Sequence, residues 1–587
     1  MAQATADANV GPSADSLPVS ANVKVPKKLI VCCDGTWQDS DNTPQRPTNI
    51  TRICRAISGT DDSHHQQIVY YQAGIGTGIG LTNHIINGAT GRGLAEHIRE
   101  AYVFLASNYA EHDDLVLRDS IFLGGYSRGA YTARSIGGLL GAVGLLKKTA
   151  MQYFYDIFLD WEHAGEKHYK PRFFNAYFSD EAERKKYKPN DALAHVEGAE
   201  NIDKYMDEYR RQLVLLGLSQ EVKIKSIGVF ETVGALGIPV NPVLQRILPF
   251  LPSFFREYSW FDTRLGSHVE SGFQALALDE KRAPFHPAVW EKPDMDNSVI
   301  LEQVWFPGSH ANVGGGGHAG TGISDLTICW MMDHLAGHTL PPEKEFNSLD
   351  WIKFDDAYIE KFYSQRVEAY NKMVADGKAT SPFRGWSLGL IYNSFQFPQN
   401  LIGKRVRTPG QYHFTSYITG REDPNKPLRN TNEFVHASVR ARIHLGGRAP
   451  EPDWNTAFPW GFNILPRISQ AYYWITGALG GRFWPKYNPQ ARGQPLQNWR
   501  LLDEHVDHKQ TQADASTVDD TGRIYWQYIG KKKNPEHREL PEARLGKYEL
   551  LLLSKDKNWD AIVVDDDGWV KKIWKRALHD LRRASTA

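Results

Sequence analysis

The stretch that decides the fold reads Ile121-Phe-Leu-Gly-Gly-Tyr-Ser127-Arg-Gly-Ala130. Its first three residues are typical of the end of a buried strand, and the Ala- and Gly-rich apolar run that follows, residues 130–146, predicts a helix. Between them lies the motif Gly-x-Ser-x-Gly. A strand, a sharp turn at a serine and a helix form the context in which this motif presents a nucleophile, because glycine on both sides permits the strained turn. We therefore predict that Ser127 is a nucleophile.

Buried strands and helices alternate around this turn. Strands are predicted at residues 28–33, 66–71, 121–123, 222–230 and 299–306, and helices at residues 48–57, 91–109, 130–146 and 324–335. This alternation predicts an α/β fold with a mostly parallel sheet flanked by helices.

Two further regions belong to the N-terminal half. Residues 1–27 lack a basic start followed by an apolar core, so they predict a disordered tail rather than a signal peptide. Residues 147–221 interrupt the strand pattern with helices predicted at 151–162 and 202–216. The simplest account is a helical cap inserted into a catalytic domain of residues 28–340.

Residues 341–587 predict a mixed, aromatic-rich C-terminal region of unknown role. A helix is predicted at 351–374 and a strand at 548–553. The charged residues of 432–442 predict a structural salt-bridge cluster rather than a site. Residues 569–583 predict a basic amphipathic helix whose charges could face anionic lipid, which would give a peripheral membrane contact.

The composition narrows the function classes. Lys plus Arg and Asp plus Glu both number 68 in 587 residues, so the total charge does not indicate a nucleic-acid partner. The four cysteines (Cys32, Cys33, Cys54 and Cys329) are too few for a disulfide framework and lack metal-ligand spacing. No motif requires a metal or another cofactor. Because no run of about 18 apolar residues occurs and no signal peptide is predicted, we expect a cytoplasmic protein.

A serine hydroxyl needs a base, usually a histidine that a carboxylate orients. In α/β hydrolases the chain order is serine, acid, histidine. Here Ser127 ends one predicted strand, Glu231 ends the next long one, and His310 follows the last one and precedes four glycines. Alternatives remain open for both partners: for the base they are His318, His268 and His286, and for the acid Asp279 and Asp34.

Two backbone N–H groups should stabilise the oxyanion. One is expected from Arg128, the residue after the nucleophile, and the other from Gly35 or Thr36, in the turn that follows the first strand. Asp34 is expected to anchor that turn by bonding its own backbone. Residues expected at the substrate are Asp34, Tyr126 and Asn312.

Five runs resemble a known family in their order and content. They are Cys33-Asp-Gly-Thr-Trp37, Gly125-Tyr-Ser-Arg-Gly-Ala-Tyr-Thr-Ala-Arg134, Gly228-Val-Phe-Glu-Thr-Val-Gly-Ala-Leu-Gly237, Ala275-Leu-Ala-Leu-Asp-Glu-Lys-Arg282 and Val304-Trp-Phe-Pro-Gly-Ser-His-Ala-Asn-Val-Gly-Gly-Gly316. Together they resemble the uncharacterised α/β hydrolase family whose studied bacterial members are phospholipase effectors of the type VI secretion system. The resemblance implies an α/β-hydrolase-like fold and a Ser–acid–His hydrolase acting on acyl esters of phospholipids. This chain carries Glu231 and Asn312 where the family usually has Asp.

The sequence therefore predicts an enzyme, a serine esterase or lipase. It would cleave carboxylic esters, in particular acyl esters of lipids or phospholipids, through an acyl-enzyme. Two alternatives remain: a catalytically impaired protein that binds a lipid or a partner, and an esterase or thioesterase for small soluble substrates. The oligomeric state is not predicted.

Overall fold

The computed structural model describes the chain in segments. These are residues 25–35, 47–74, 92–110, 118–166, 168–189, 199–233, 264–292, 298–316, 322–339, 350–360, 364, 368, 388–391, 393–394, 403–415, 422–444, 446–450, 485–502, 525–531 and 538–555. Residues 1–24 of the predicted tail and the predicted helix at 569–583 lie outside the described residues.

A parallel sheet of seven strands forms the centre of the described fold. The strands are β1 (Lys28–Cys33), β2 (Gln67–Gln72), β3 (Ser120–Tyr126), β4 (Ile224–Phe230), β5 (Ser271–Ala277), β6 (Ile300–Phe306) and β7 (Glu433–Val435). They are ordered β2-β1-β3-β4-β5-β6-β7, and all neighbours run parallel. The strand order reverses between β1 and β3, and open α/β sheets bind ligands at the carboxyl ends of the strands at such a point.

Helices cover both faces of the sheet. In the described residues they are α1 (Asn49–Ala56), α2 (Arg92–Asn108), α3 (Arg128–Val143), α4 (Phe154–Glu162), α5 (Phe173–Tyr177), α6 (Glu181–Tyr187), α7 (Ala199–Leu215), α8 (His310–Gly314), α9 (Ile323–Leu335), α10 (Ala437–His444) and α11 (Lys547–Lys555). Short 3-10 turns occupy Lys148–Tyr153 and Ala283–Phe285. None of the helices described is both long and apolar enough to cross a bilayer.

The layers follow from the two-residue period of a strand. All six residues of β1 are buried. Leu29 and Val31 pack in one hydrophobic cluster with α2, α3 and α7, whereas Ile30 and Cys32 pack in another with α1 and α9. Successive side chains of a strand point to opposite faces, so a strand that is buried throughout requires helices on both sides. The predicted α/β-hydrolase-like class is thereby confirmed.

The five predicted strands are all present, with ends displaced by up to three residues. The strand β5 was not predicted, although all seven of its residues are buried. The predicted helix at 130–146 ends earlier, at Val143, because Gly144 adopts a positive φ of 70°. Leu145–Leu146 instead pairs with Ser219–Gln220. Between these two short strands lie four helices, of which α4 and α7 correspond to the two predicted at 151–162 and 202–216, whereas α5 and α6 were not predicted.

The C-terminal region joins the same fold. Its strand β7 extends the sheet beside β6, and α11 packs against α9. Smaller antiparallel pairings join His413–Thr415 with Glu422–Pro427, and Trp499–Leu502 with Tyr525–Tyr528 and Glu539–Pro541. Part of the C-terminal region, for which no role was predicted, therefore contributes to the core.

One prediction for the C-terminal region was wrong, and another was displaced at its start. The predicted strand at 548–553 is part of α11, whose first-turn N–H groups, those of Tyr548 and Glu549, donate to the Asp333 carboxylate. The predicted helix at 351–374 does not start at Trp351, since Phe354 forms a bridge with Ile57 and helical structure begins at residue 356. A short apolar run does not distinguish strand from helix by periodicity alone.

The charged residues of 432–442 form structural contacts, as predicted. Glu433 accepts hydrogen bonds from the Trp305 indole and from Gly410 N, each at 2.8 Å. His436 Nε2 lies 2.8 Å from Glu549 Oε1, and both side chains are fully buried. These contacts hold β7 against the neighbouring strand β6 and the start of α10 against α11.

Candidate active site

The site begins at the junction of β3 and α3. Ser127 lies between Tyr126, the last residue of β3, and Arg128, the first of α3, and has φ 57° and ψ −119°. A positive φ is unusual for a residue with a side chain and costs about 1–3 kcal/mol, a strain that is typical of functional sites. The serine hydroxyl is thereby held at the carboxyl end of β3.

The two glycines of the motif allow the backbone to turn this tightly. A Cβ on Gly129 would overlap the carbonyl oxygens of Cys33 and Asp34 at the end of β1. A Cβ on Gly125 would overlap the backbone of Gly129 and Ala130. The helix α3 can therefore start directly against the end of β1 only because these positions have no side chain.

We expect Gly129→Ala to destabilise the fold and to abolish the geometry at Ser127. The overlap is with backbone atoms, which cannot rotate away, so the cost should reach or exceed the ~1–3 kcal/mol typical of overpacked cores. Thermal unfolding of the variant should show a lowered Tm. The matched control is Gly59→Ala, because a Cβ at Gly59 meets nothing within 4 Å. Equal Tm values for the two variants would contradict the packing argument.

Three side chains from different strand ends meet at this point. His310 Nε2 lies 2.9 Å from Ser127 Oγ, and His310 Nδ1 lies 3.1 Å from Glu231 Oε2. Glu231 follows β4 directly, and His310 is the first residue of α8, four residues beyond the end of β6. All three are buried, with Glu231 only 1% exposed. The parallel sheet brings them together because the carboxyl ends of its strands share one edge.

Burial and neighbouring charges set the ionisation of this trio. Burial lowers the pKa of His310, and the hydrogen bond and charge of Glu231 oppose that shift only in part. Burial alone would raise the pKa of Glu231, but the Arg407 guanidinium and the hydrogen bond with His310 hold that pKa below its usual value. A neutral imidazole beside an ionised carboxylate is the state in which histidine accepts a proton from a hydroxyl.

Glu231 has two further partners. Its Oε1 accepts a 2.6 Å hydrogen bond from the N–H of Ala277, the last residue of β5. Arg407 Nη2 lies 3.0 Å from its Oε2 in an ion pair in which both side chains are at most 4% exposed. Sequence reasoning missed Arg407, because it lies 176 residues after Glu231 and carries no motif.

The rival residues have other surroundings. His268 Nε2 lies 2.9 Å from Gly137 O, and burial lowers its pKa to about 4. The His286 ring packs edge-on against Tyr412. Asp279 accepts hydrogen bonds from Gly308 N and Tyr487 OH, and burial raises its pKa to about 6. His318 lies outside the described residues. None of the described rivals takes the place of His310 beside Ser127 or of Glu231 beside His310.

Asp34 anchors the turn after β1. Its Oδ1 accepts the Gly35 N–H at 2.7 Å, and its Oδ2 accepts from the hydroxyls of Thr48, Thr51 and Tyr71 at 2.7–2.9 Å. Burial raises the pKa of this carboxyl in spite of these hydrogen bonds. Both oxygens accept hydrogen bonds from protein donors, which is the anchoring arrangement expected for Asp34.

The structure supports the three expected oxyanion donors to different degrees. The Gly35 N–H already donates to Asp34, which weakens its case as a donor to a substrate. Thr36 lies outside the described residues. Arg128 is the first residue of α3, and the N–H groups of a first helical turn have no acceptor within the helix itself.

Tyr126 and Asn312 support the site from either side. The Tyr126 ring lies 4.9 Å from the His310 ring between centroids, and its hydroxyl lies 3.5 Å from His310 O. Asn312 Oδ1 accepts from Ser309 N and Ser309 Oγ at the start of α8, and its Nδ2 donates to Leu390 O. Asn312 thus caps α8, the helix that starts with His310.

No set of three or more His, Cys, Asp or Glu side chains within the described segments is arranged to hold a metal ion. The trio itself consists of one serine, one histidine and one carboxylate, a donor set suited to proton transfer.

The parallel sheet, the strained serine between β3 and α3, and the histidine and glutamate at neighbouring strand ends define a protein of the α/β-hydrolase class. The chain belongs to the family described as "T6SS, Phospholipase effector Tle1-like, catalytic domain", whose model matches residues 27–334. By its description this is a family of phospholipase-type hydrolases.

Individual relatives are more distant. An uncharacterized protein of Saccharomyces cerevisiae, YEL023C, is 26% identical over 286 residues, which cover 46% of this chain and 33% of that protein. The chain therefore spans about a third of the length of this relative.

Two solved structures are also similar. The Tle1 effector bound to the VgrG spike from the type 6 secretion system is 17% identical, with a TM-score of 0.25 over 54% of this chain and 56% of that one. The Vlm2 thioesterase domain bound with a dodecadepsipeptide is 13% identical, with a TM-score of 0.18 over 53% of this chain and 94% of that one. Because these identities and TM-scores are low, the fold class is assigned from the seven-stranded parallel sheet of this protein and not from these two structures.

Proposed function

We propose that this protein is a serine hydrolase that cleaves carboxylic esters through an acyl-enzyme. The observation that carries the proposal is the contact of His310 Nε2 with Ser127 Oγ at 2.9 Å, continued by that of Nδ1 with Glu231 at 3.1 Å. Nucleophile, base and orienting acid are thus in line and within hydrogen-bond distance of one another.

The reaction follows from these roles. Ser127 Oγ attacks the ester carbonyl while His310 Nε2 takes its proton. The imidazolium that forms is stabilised by Glu231, and the negative oxygen by backbone N–H groups, with Arg128 N as one donor. His310 then protonates the leaving alcohol, which departs and leaves the acyl group bound to Ser127 Oγ. A water molecule, deprotonated by the same histidine, releases the carboxylic acid and restores Ser127.

The substrate class comes from the family. Its description as phospholipase-type favours acyl esters of lipids, and we propose a lipid or phospholipid substrate on that ground. Peripheral membrane contact remains part of this proposal because such a substrate resides in a membrane.

The direct test compares substrates and a covalent probe. We expect the wild-type protein to be labelled by a fluorophosphonate and to hydrolyse phosphatidylcholine vesicles. With the leaving group held constant, kcat/KM for p-nitrophenyl octanoate should exceed that for p-nitrophenyl acetate ~10-fold or more, since one methylene in an apolar pocket can give about that factor. Labelling with a preference for the short ester would retain the serine hydrolase and reject the lipid substrate. Lipid binding without labelling or turnover would instead identify a non-catalytic binding protein.

A further inference from the structure

The contact segment, residues 388–391, 393–394 and 403–415, lies outside the matched family model, which ends at residue 334. It nevertheless contacts Glu231 and residues that hold His310. Arg407 binds Glu231, and Ser394 Oγ lies 2.8 Å from both carboxylate oxygens of Glu280. The carbonyl of Leu390 accepts from Asn312. Glu280 in turn accepts the His310 backbone N–H at 3.2 Å.

Backbone pairing fixes where Arg407 lies. Residues 403–405 run antiparallel to residues 281–283, with Ala283 N donating to Gly403 O at 3.0 Å and Arg405 N to Lys281 O at 2.9 Å. Two residues further on, the side chain of Arg407 is buried, whereas Arg405 is exposed. Burying a guanidinium is costly unless it is paired and hydrogen-bonded, so its partners indicate what it serves.

The partners of Arg407 lie on two sides of His310. Its Nη2 donates to Glu231 Oε2 at 3.0 Å and to Phe285 O at 2.6 Å. The Phe285 ring packs edge-on against the His310 ring, with 4.8 Å between centroids. One guanidinium therefore holds both the carboxylate that bonds the imidazole and the loop that packs against it. A planar fork of donors suits this task, and an ammonium does not replace it geometrically.

We propose that Arg407 is a positioning residue of the hydrolase: it fixes Glu231 in the orientation and charge state that His310 requires, so that the contact segment completes the active site of the family domain. The inference rests on the proposed function, because it assigns a role in that reaction.

The charges around the pair predict the sign of the pH effect. Glu231 faces Arg407 and His310, while His310 also has Glu280 and Arg282 nearby and packs against Tyr126 and Phe285. Without the cation the Glu231 carboxyl becomes less acidic, and the less compensated anion makes His310 more basic. Both changes require a higher pH for the active pair of carboxylate and neutral imidazole. An opposite charge at this distance is worth ~1–3 pKa units.

The test is Arg407→Gln, with Arg407→Lys as the conservative variant and Arg405→Gln as the matched control two residues away. We expect Arg407→Gln to lower the second-order rate of fluorophosphonate labelling and kcat/KM by ~10²-fold, the order of loss that a misplaced group causes. The acid limb of its pH profile should move upward by ~1 unit or more. Arg407→Lys should keep the acid limb and lose several-fold in labelling rate, and Arg405→Gln should match wild type.

Each outcome separates this inference from the proposed function. If wild type is not labelled, the proposed function fails. If wild type is labelled and Arg407→Gln has the same rate and profile with an unchanged Tm, only the role of Arg407 is overturned. If Arg407→Gln does not fold, Arg407→Lys decides: a wild-type labelling rate in that folded variant overturns positioning by the guanidinium.

Discussion

Replacing Ser127 with alanine is expected to lower kcat/KM for ester hydrolysis by ~10⁴-fold or more, because members of a catalytic Ser–His–acid set act as a unit and loss of the nucleophile removes covalent catalysis altogether. Fluorophosphonate labelling should disappear in the same variant. Labelling that persists in Ser127→Ala would place the nucleophile at another residue.

The fold should be unaffected by this change. Ser127 carries its strain in the backbone, at φ 57°, and alanine has the same Cβ and meets the same strain. The lost hydroxyl contacts His310 Nε2, so the expected loss is chemical, and Tm should stay near that of wild type. Binding of non-hydrolysed lipid should likewise be retained.

Ser135→Ala is the matched control. Ser135 lies on the same helix, two turns beyond the nucleophile, and its hydroxyl donates to Tyr131 O at 2.7 Å. Removing it deletes one buried hydroxyl without touching the trio. We expect Ser135→Ala to retain labelling and turnover, so a comparable loss in both variants would point to damage of α3 rather than to chemistry.

The parallel order of the strands explains why the candidate site residues could be predicted from the sequence alone. Ser127, Glu231 and His310 were each predicted because each follows a run that is typical of a buried parallel strand, and parallel strands end at one edge. The positive φ of Glu231, 49°, shows that its placement still depends on a local turn that no residue pattern announces.

Other features depend on contacts between distant segments. The strand β5 contains Gln274 in its middle, which interrupts an apolar run, yet Gln274 is fully buried. Its amide is satisfied by Thr232 Oγ1 at 2.7 Å and Ala288 O at 3.0 Å. A buried polar group whose partners come from elsewhere in the chain looks like a surface residue in the sequence.

The same limit applies to Arg407. An isolated arginine is usually a solvated surface residue, and its burial against Glu231 follows only from the pairing of residues 403–405 with 281–283. The resemblance to the family covered the strands and the serine turn, and it ended before the contact segment began. Here, sequence patterns located the residues proposed to react, whereas the groups that hold them became visible only in the folded chain.

The second large effect on turnover is expected from replacing Glu231, the proposed orienting acid. We expect Glu231→Gln to lower kcat by ~10³–10⁴-fold, because an amide cannot stabilise the imidazolium and can hold the neutral histidine in the wrong tautomer. Its carbonyl oxygen can keep the Ala277 N–H bond, so the shape of the site should survive. The buried Arg407 guanidinium loses its counter-charge, however, so Tm should fall and rates should be measured on the folded fraction. Hydrolysis rates measured over a pH series would quantify the loss.

The control for this change is Asp279→Asn. Asp279 is a buried carboxyl close to the end of the neighbouring strand β5, and it bonds Gly308 N and Tyr487 OH. If Glu231 is the orienting acid, Asp279→Asn should keep most of the turnover, and any deficit should appear as a lower Tm. A loss of ~10³-fold in Asp279→Asn with little loss in Glu231→Gln would reverse the assignment.

The acid limbs of the pH–rate profiles of Glu231→Gln and Arg407→Gln should move in opposite directions. The negative charge of Glu231 raises the pKa of His310, so its removal in Glu231→Gln lowers that pKa and moves the acid limb to lower pH, beneath a much reduced plateau. Removing the opposing cation in Arg407→Gln moves the limb to higher pH. A merely structural role for either residue would lower the plateau without this divergence, so shifts in the same direction would contradict the ion pair as the source of the effect.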